Sequence, residues 1–538
     1  MAPDRKIRVL LLAAVCAFIT PLNARELQSA ATPRISRLGT VSFPISCKPT
    51  VEASFNRGIA LLDSFGYPAA EAQFKQIEAE DPKCAMAYWG EAMTIWHQLW
   101  DRPSKGDLRR GSALIGKAEA IGGKTKRERE YIQAAAAFYA NDPKATYDTR
   151  TAAYSQTLRR LHEHFPNDDV ATDFYALSLL ASPEADKNDF AYRKKAVSIL
   201  EGVFSRRPND PGAAHYLIHA CDNPEMAKQG LPAARRYAQI APASPHALHM
   251  PSHIFARLGM WQEDIHSNLA SKKAAEQQHD QADRLHAMDF LEYAYLQLGE
   301  WAQAKSVEEE AIKVRKQDFS NKRMQPYFFY VQVHFPSLYG LETKDWKKAY
   351  ALSVPENAGP DFQAVIYWAR VIAATHLHEL KAAREAVHEY DLALAAVRKT
   401  SYAYVADEMA PQRDEAHAWL AFAEGKSTEA TSLLRSVADK QDQTGKGEVE
   451  IPARGMLADM LLQLDRPGDA LKQYALSLKT DPNRLNSLYG AARAAELAQE
   501  PAQAKKYYKE LLAGREQGLL SRNPELVHAR AYLSGESK

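Results

Sequence analysis

A spacing of small and bulky residues that recurs along the chain constrains the fold of this protein more than any other feature. It is clearest in residues 55–82, where the spaced positions are Gly58, Leu61, Ala70, Phe74, Ile77 and Pro82. Most of these spacings return as Ala458, Leu461, Ala470, Tyr474 and Pro482, and again as Ala492, Ala495, Ala504, Tyr508 and Leu511. Small residues suit the close crossing of two helices, bulky residues fill the gap to the next pair, and proline ends a helix. The spacing therefore predicts an array of helical hairpins.

The sequence from about Glu52 onward supports an all-α fold. Nearly every stretch fits an amphipathic helix of roughly 12 to 16 residues followed by a short break. No stretch alternates convincingly as a sheet strand. Hydrophobic residues make up 46% of the chain and charged residues 25%, which is typical of a water-soluble protein with an extensive core.

On these residues the sequence resembles the tetratricopeptide repeat (TPR) family, whose period is about 34 residues. The same signature appears in LGMWQEDI (258–265), LGEWAQAK (298–305) and KDWKKA (344–349). The resemblance implies a right-handed superhelical solenoid of TPR-like hairpins. We expect one array over residues 51–350 and a C-terminal array over 351–538. More than one arrangement of repeats fits residues 100–190 and 350–450.

A second resemblance rests on the phrases CAMAYWGEAM (84–93) and HALHMPSHIFARLG (246–259). They are similar to phrases in bacterial envelope proteins that carry TPR repeats. This resemblance implies the fold and an envelope location, and no particular activity.

The N-terminus has the layout of a secretory signal peptide. Basic residues precede an apolar run, residues 9–20, that is short for a membrane span, and small residues ending at Ala24 follow it. We predict that residues 1–24 are removed and that residues 25–50 form a leader segment. An uncleaved anchor is the alternative. Cleavage would leave an exported protein of the periplasm, the cell envelope or the medium, without a membrane span.

The charge balance argues against nucleic acid as a partner. Lysine and arginine together number 68, and aspartate and glutamate 67. A chain with this balance has no broad positive field to hold a polyanion.

Three cysteines remain after the predicted cleavage, an odd number in a compartment that permits disulfides. Cys47 just precedes the first predicted hairpin and Cys84 just follows its terminal proline. The two ends of a helical hairpin lie at the same edge, so we predict a Cys47–Cys84 disulfide. Cys221 is then a buried structural thiol.

Histidines are concentrated near the middle of the chain. Eight of the 17 lie between His215 and His286, far more than an even spread would give. We place hairpin starts near Pro211, Pro245 and Leu285. In that register His246 and His286 hold the second place of their first helices. His215, His249 and Asp289 hold the fifth place, and His219 and His253 hold the ninth.

Spacings of three and four residues keep these places on one helical face. In TPR proteins that face of the first helix lines the concave groove, so the resemblance implies that the cluster points into the superhelix. A register beginning near Tyr330 adds His334 at the fifth place.

This pattern predicts a transition-metal site. In the pairs His215/His219 and His249/His253, two imidazoles four residues apart on one helix are spaced to share an ion. Asp289 supplies an optional carboxylate. A histidine-rich set suits copper, zinc or iron better than magnesium or calcium, which prefer oxygen ligands. The other interpretation is a groove whose imidazoles hydrogen-bond to a bound peptide and stack on it.

Two further positions bear on the geometry of the predicted metal site. Pro251 lies between His249 and His253, so either the helix bends there or it begins near Met250, which would leave His246 and His249 on a loop. His97 is placed to face the same groove from an earlier repeat, although a packing role beside the neighbouring tryptophans is the favoured interpretation.

Two functions therefore follow from the sequence. The first is an exported TPR superhelix with a multi-histidine metal site in its groove, which suits a metal-dependent enzyme because open coordination positions can take substrate. The second is a non-enzymatic scaffold that binds a peptide or protein partner in the same groove. A small molecule or a peptide is the expected ligand, and fold alone does not choose between the two functions.

Overall fold

A computed structural model describes residues 37–538 of the chain except 101, 186–189, 320–323, 445, 448, 516–522 and 536–538. Residues 37–538 belong to one structural unit. The predicted signal peptide and residues 25–36 of the predicted leader lie outside the described residues.

Helices account for the regular structure of the described residues, and no strand occurs among them. The helices of the first half are α1 (Glu52–Asp63), α2 (Tyr67–Glu80), α3 (Ala85–Met93), α4 (Lys105–Ile121), α5 (Lys126–Tyr139), α6 (Tyr147–His164), α7 (Asp169–Leu180), α8 (Ala191–Arg206), α9 (Pro211–Cys221), α10 (Ala227–Ile240), α11 (Pro245–His249), α12 (Pro251–Arg257) and α13 (Trp261–Gln278).

The second half continues in the same way. Its helices are α14 (Gln281–Leu298), α15 (Trp301–Ala311), α16 (Pro326–Glu342), α17 (Trp346–Tyr350), α18 (Pro360–His376), α19 (Leu380–Val397), α20 (Val405–Ala423), α21 (Ser427–Thr444), α22 (Ala453–Gln463), α23 (Pro467–Thr480), α24 (Leu485–Leu497), α25 (Pro501–Leu512) and α26 (Pro524–Ser534). Short 3₁₀ turns occupy Pro49–Val51 and Lys316–Asp318.

Consecutive helices pack in pairs, from α1 with α2 to α24 with α25. Helices α11 and α12 together form the first arm of one pair, with α13 as the second arm. Each pair packs on the next, so the protein is an all-α solenoid of helical hairpins. None of the described helices is both long enough and apolar enough to cross a bilayer.

The recurring small residues lie where aromatic rings meet the neighbouring helix. A side chain on Gly58 or Gly90 would overlap the ring of Phe74, because its first carbon would lie 2.8 or 2.4 Å from that ring. Tyr474 occupies the same kind of place against Gly490, at 2.2 Å. The spacing read from the sequence is therefore the packing pattern of the array.

Most predicted hairpin starts agree with the structure, and one differs. Helix α9 begins at Pro211 and α11 at Pro245, as expected. Helix α14 begins at Gln281, four residues before the predicted Leu285, because the Asp280 carboxylate accepts a hydrogen bond from the backbone N–H of Asp283 and caps an earlier turn. Residues 100–190 and 350–450, where the sequence fits more than one arrangement of repeats, contain regular helices, α4 to α8 and α18 to α21.

Pro251 bends the first arm of its hairpin without opening it into a loop. Helix α11 ends at His249 and α12 begins at Pro251, while Met250 between them keeps helical backbone angles of −50° and −33°. Proline is tolerated here because it occupies the first turn of α12, where the N–H it lacks has no helical partner. Of the two alternatives that the sequence left open, the bent helix is therefore the one observed, and His246 and His249 lie on α11.

Residues 37–50, the described part of the leader, run as a strap along the first hairpins. Phe43 is fully buried against Phe55, Trp89 and Tyr131. The end of the strap is tied to the start of α3 by a disulfide between Cys47 and Cys84, the pair named from the sequence.

Contacts also join parts of the array that are far apart in sequence. The Trp261 indole N–H donates to the backbone oxygen of Asn483 (2.9 Å), and the Asn483 amide donates to the backbone oxygen of Gly259 (2.9 Å). The Gln297 side chain accepts from the backbone N–H of Leu485 (3.1 Å). We call these contacts between residues 259–297 and 482–486 the closure contacts.

The first prediction concerns the disulfide. Cys47→Ser frees the end of the strap, and we expect the opening free energy of residues 37–84 to fall by about 2 to 4 kcal/mol, as for a bridge that closes a loop of this length. Hydrogen exchange of that segment measures the change. Cys221→Ala, which removes a thiol outside the bridge, is the control, and a peptide map with Cys47 and Cys84 both unoxidised would contradict the bridge.

The second prediction tests the closure contacts through Gly259. This residue has a φ of +65°, and an added side-chain carbon would lie 2.3 Å from the backbone oxygen of Pro482. Gly259→Ala is therefore expected to push residues 482–486 away and to destabilise the fold by about 1 to 3 kcal/mol.

Gly425→Ala is the matched control, because Gly425 has a similar φ of +78° with open space around it. Thermal unfolding of both variants separates backbone strain from steric overlap. Equal losses of stability in the two variants would show that the closure contacts contribute nothing.

Candidate metal centre

Six histidines meet on one face of consecutive first arms. His215 and His219 lie on α9, His246 and His249 on α11, His253 on α12, and His286 on α14. They form two groups of three, within each of which the possible ligand atoms all lie within 4.8 Å of one another. We call His215, His219 and His246 the first trio, and His249, His253 and His286 the second trio.

The first trio is held by α9 and by the loop after α1. His215 Nε2 lies 3.1 Å from His246 Nε2, and the ring of His219 is 4.7 Å from that of His215. On its outer side His215 Nδ1 donates to the backbone oxygen of Asp63 (2.6 Å). The ring of Phe65 contacts all three imidazoles at 4.4 to 5.6 Å.

The second trio has a similar composition, but its tight pair lies within one first arm. His249 Nε2 lies 3.1 Å from His253 Nε2, and the ring of His286 is 4.2 Å from that of His249. Phe290 contacts the three imidazoles at 4.8 to 5.7 Å. Each trio is therefore a tight pair of imidazoles, a third imidazole beside it and a phenylalanine wall.

Hydrogen bonds outside the second trio fix how its rings are oriented. His249 Nδ1 donates to Asn268 Oδ1 (2.6 Å), and the Asn268 amide nitrogen donates to Asp264 Oδ1 (2.7 Å). His253 Nδ1 donates to Asp222 Oδ2 (3.0 Å). Such outer partners select the tautomer that leaves the Nε2 lone pair free to bind a metal.

In the His249/His253 pair the outer hydrogen bonds leave both Nε2 atoms as acceptors, and 3.1 Å is close for two acceptors with nothing between them. In His215, His249 and His253 the proton sits on the outer nitrogen, so the inner nitrogen carries a lone pair. A tetrahedral ion bound to two imidazoles at 2.0 to 2.1 Å holds their nitrogens about 3.3 Å apart. The observed 3.1 Å separations fit that geometry.

Burial keeps five of the six imidazoles neutral. It lowers the pKa of His215 to about 3 and the pKa of His286 to about 4. Burial, with help from neighbouring histidines, also lowers the pKa of His219, His246 and His249 well below the usual value. At neutral pH these rings carry the lone pairs that a metal requires.

A cavity of about 450 Å³ opens onto both trios. His219 and His246 of the first trio line it, as do His253 and His286 of the second. The rest of its lining includes Trp100, Leu180 and Arg193. The cavity gives a small molecule a route to both groups of imidazoles.

Two residues of the predicted metal set lie outside the trios. Asp289 Oδ1 is 3.2 Å from His334 Nε2, and Tyr330 donates to Asp289 Oδ2 (2.6 Å). Burial opposes charge on His334, but the Asp289 carboxylate offsets this and raises the pKa of the ring. The structure thus separates Asp289 and His334, as an acid–base pair, from the six histidines that it brings together.

The sequence did not reveal the residues that support the trios. Asn268 lies on a second arm, and Phe65 and Asp63 belong to a hairpin about 150 positions away along the chain. No spacing signal links them to the histidines. His97 stacks on Tyr67 at 4.0 Å and lies outside both trios, and Cys221 is fully buried.

A second cavity, of about 660 Å³, lies among the C-terminal hairpins. Acidic side chains line it together with Trp368, and they include Asp361, Glu408, Glu415 and Glu450. The Trp368 indole N–H donates to Glu415 Oε2 (2.9 Å), and burial raises the pKa of Glu415 to about 8.

Comparisons with known proteins identify no relative. No protein-family model matches the chain, and no curated protein does. Among solved structures, a human IFIT1 dimer with m7Gppp-AAAA is 11% identical, over 84% of this chain and 94% of that chain, with a TM-score of 0.36. Yeast Tom70 is 12% identical over 84% and 91% of the two chains, with a TM-score of 0.34. The P58(IPK) TPR domain is 14% identical over 91% and 99%, with a TM-score of 0.20. These likenesses carry no argument about function.

The third prediction uses Glu415. In the unfolded chain its carboxyl group loses its proton near pH 4.3, whereas in the fold it does so near pH 8. The wild type therefore loses stability as the pH rises between these values. Glu415→Gln stays neutral and keeps an acceptor for Trp368, so we expect its melting temperature to exceed that of the wild type by a few degrees at pH 8.5 and to match it at pH 4.

Thermal scans at the two pH values measure the effect. Glu389→Gln, on the exposed face of α19, is the control. A difference between wild type and Glu415→Gln that does not change with pH would contradict the prediction.

Proposed function

We propose that this chain is an exported helical solenoid whose inner face binds a transition metal through the two histidine trios. The observation that carries the proposal is the pair of 3.1 Å Nε2 contacts, in which His215, His249 and His253 are hydrogen-bonded at their outer nitrogens. Among the described residues, His219 Nε2 is also a buried atom with no hydrogen-bond partner. A buried polar atom without a partner is costly, and an ion bound by this nitrogen relieves that cost.

The donor set narrows the choice of metal to copper, zinc and iron. Every candidate ligand in the two trios is an imidazole nitrogen. Imidazole suits these three metals, whereas magnesium and calcium prefer shells of oxygen.

The cavity beside the trios favours a metal-dependent enzyme that acts on a small molecule. His219 and His286 are the half-exposed members of their trios and both line the cavity. A ligand entering there reaches the side of the site that protein atoms do not fill. A metal ion bound by three protein ligands and open on one side is the usual arrangement for metal-assisted catalysis.

Export is part of the same proposal. The basic and apolar zones of residues 1–24 have the layout of a signal peptide. The Cys47–Cys84 disulfide supports it, because such bridges persist mainly in oxidising compartments.

The non-enzymatic scaffold remains the second candidate function. The observation that favours it is the 660 Å³ cavity in the C-terminal hairpins, whose lining of carboxyl groups, lysines and Trp368 offers hydrogen-bonding and stacking partners to a segment of a peptide or protein. A scaffold of this kind keeps its binding after metal removal, whereas the metal-dependent function does not survive a chelator.

The fourth prediction tests the metal site. Untagged protein from the exported fraction is expected to contain a transition metal by elemental analysis. His219→Ala with His253→Ala removes one ligand from each trio, and we expect the affinity for added zinc or copper to fall at least about 100-fold while the helical content is retained.

His162→Ala and His528→Ala, which lie outside the trios, are the controls. Each is expected to leave metal binding unchanged. The metal-site proposal would be wrong if the wild type contained no metal and bound added zinc or copper no better than the double variant. The scaffold function would then take its place.

A further inference from the structure

The two trios are copies of one pattern at the spacing of the repeat. His215 and His219 of the first trio correspond to His249 and His253 of the second, each 34 residues later. In both trios the third imidazole comes from the first arm of the following hairpin, as His246 and as His286. Because the array repeats its helices at about this period, it also repeats the site.

Each copy is complete by itself. Both contain a 3.1 Å Nε2 pair, which is His215–His246 in the first trio and His249–His253 in the second. Both also contain a third ring beside the pair and a phenylalanine wall, Phe65 in one and Phe290 in the other. Three imidazoles with an open fourth side are enough to hold one ion. Neither trio needs a ligand from the other.

The copies are also adjacent. The rings of His219 and His253 lie 5.9 Å apart, and those of His246 and His249 lie 6.2 Å apart. The two positions are therefore neighbours, as are the two ions of two-metal sites. The 450 Å³ cavity touches members of both trios, so one small ligand can reach both positions.

Carboxylates lie close behind the second trio. Asp222 accepts a hydrogen bond from His253, and Asp264 is linked to His249 through Asn268. Arg257 also pairs with Asp222. Asp63, whose backbone oxygen accepts from His215, lies behind the first trio, where burial raises the pKa of its carboxyl group and favours the neutral form.

We infer that the two trios bind two divalent transition-metal ions at the same time, one ion in each, as a dinuclear centre. This inference rests on the proposed metal site and adds the number of ions and their ligands. The all-imidazole donor set favours copper, which stands highest in the affinity order of the divalent first-row metals.

The test uses untagged metal-free protein titrated with copper(II) sulfate. We expect two copper ions per chain at saturation. Two copper(II) ions this close couple magnetically, so the electron paramagnetic resonance spectrum is expected to show dipolar broadening and a half-field transition or, where a bridging ligand couples the two spins, a loss of integrated signal.

Two single-residue variants test whether each trio holds one of the two ions. His219→Asn and His286→Asn replace the half-exposed member of each trio, and each is expected to bind one copper ion and to regain the signal of one isolated spin. His388→Asn, exposed on α19, is the control and should behave as the wild type.

Saturation of the wild type at one ion per chain would overturn the inference and leave the proposed metal site standing. Two ions whose spectrum is that of isolated copper(II), with no broadening, no half-field transition and no loss of signal, would also overturn it, because the ions would then be far apart. Absence of specific binding in the wild type would remove both proposals. The wild-type measurements alone decide the matter if a variant fails to fold.

Discussion

The packing of an aromatic ring against a glycine of the next helix sets the distances on which the rest of the structure depends. Phe74 fits between Gly58 and Gly90 only because neither glycine carries a side chain. Helices in such contact lie about 8 to 10 Å apart, which two imidazoles can span. A wider spacing of the hairpins would leave each pair of histidines isolated on its own helix.

Within that spacing, hydrogen bonds offset the cost of burying the imidazoles at one ring nitrogen only. Backbone, amide and carboxylate oxygens satisfy the outer nitrogens of His215, His249 and His253. The inner nitrogens of His249 and His253 face one another with unshared electron pairs. A core built for stability alone would place apolar side chains here, which is why the arrangement supports the proposed metal site.

Periodicity explains how much of this was visible in the sequence. Helix positions, hairpin pairing and the six histidines all follow a short repeat, so a reader of the sequence can place them on one face. Asp289 and His334 share that periodicity, yet Tyr330 draws Asp289 into a separate hydrogen-bonded pair. The supporting residues Phe65 and Asn268 come from a distant loop and a second arm, where no local pattern marks them.

The closure contacts fix the number of hairpins. In an open array each repeat touches only its neighbours, so copies can be gained or lost during evolution without harm to the others. Here Trp261 meets Asn483 across 222 positions of sequence. A hairpin inserted or deleted between them would carry Asn483 out of reach. The array is therefore expected to evolve as a unit of fixed length, by substitution within repeats rather than by duplication of them.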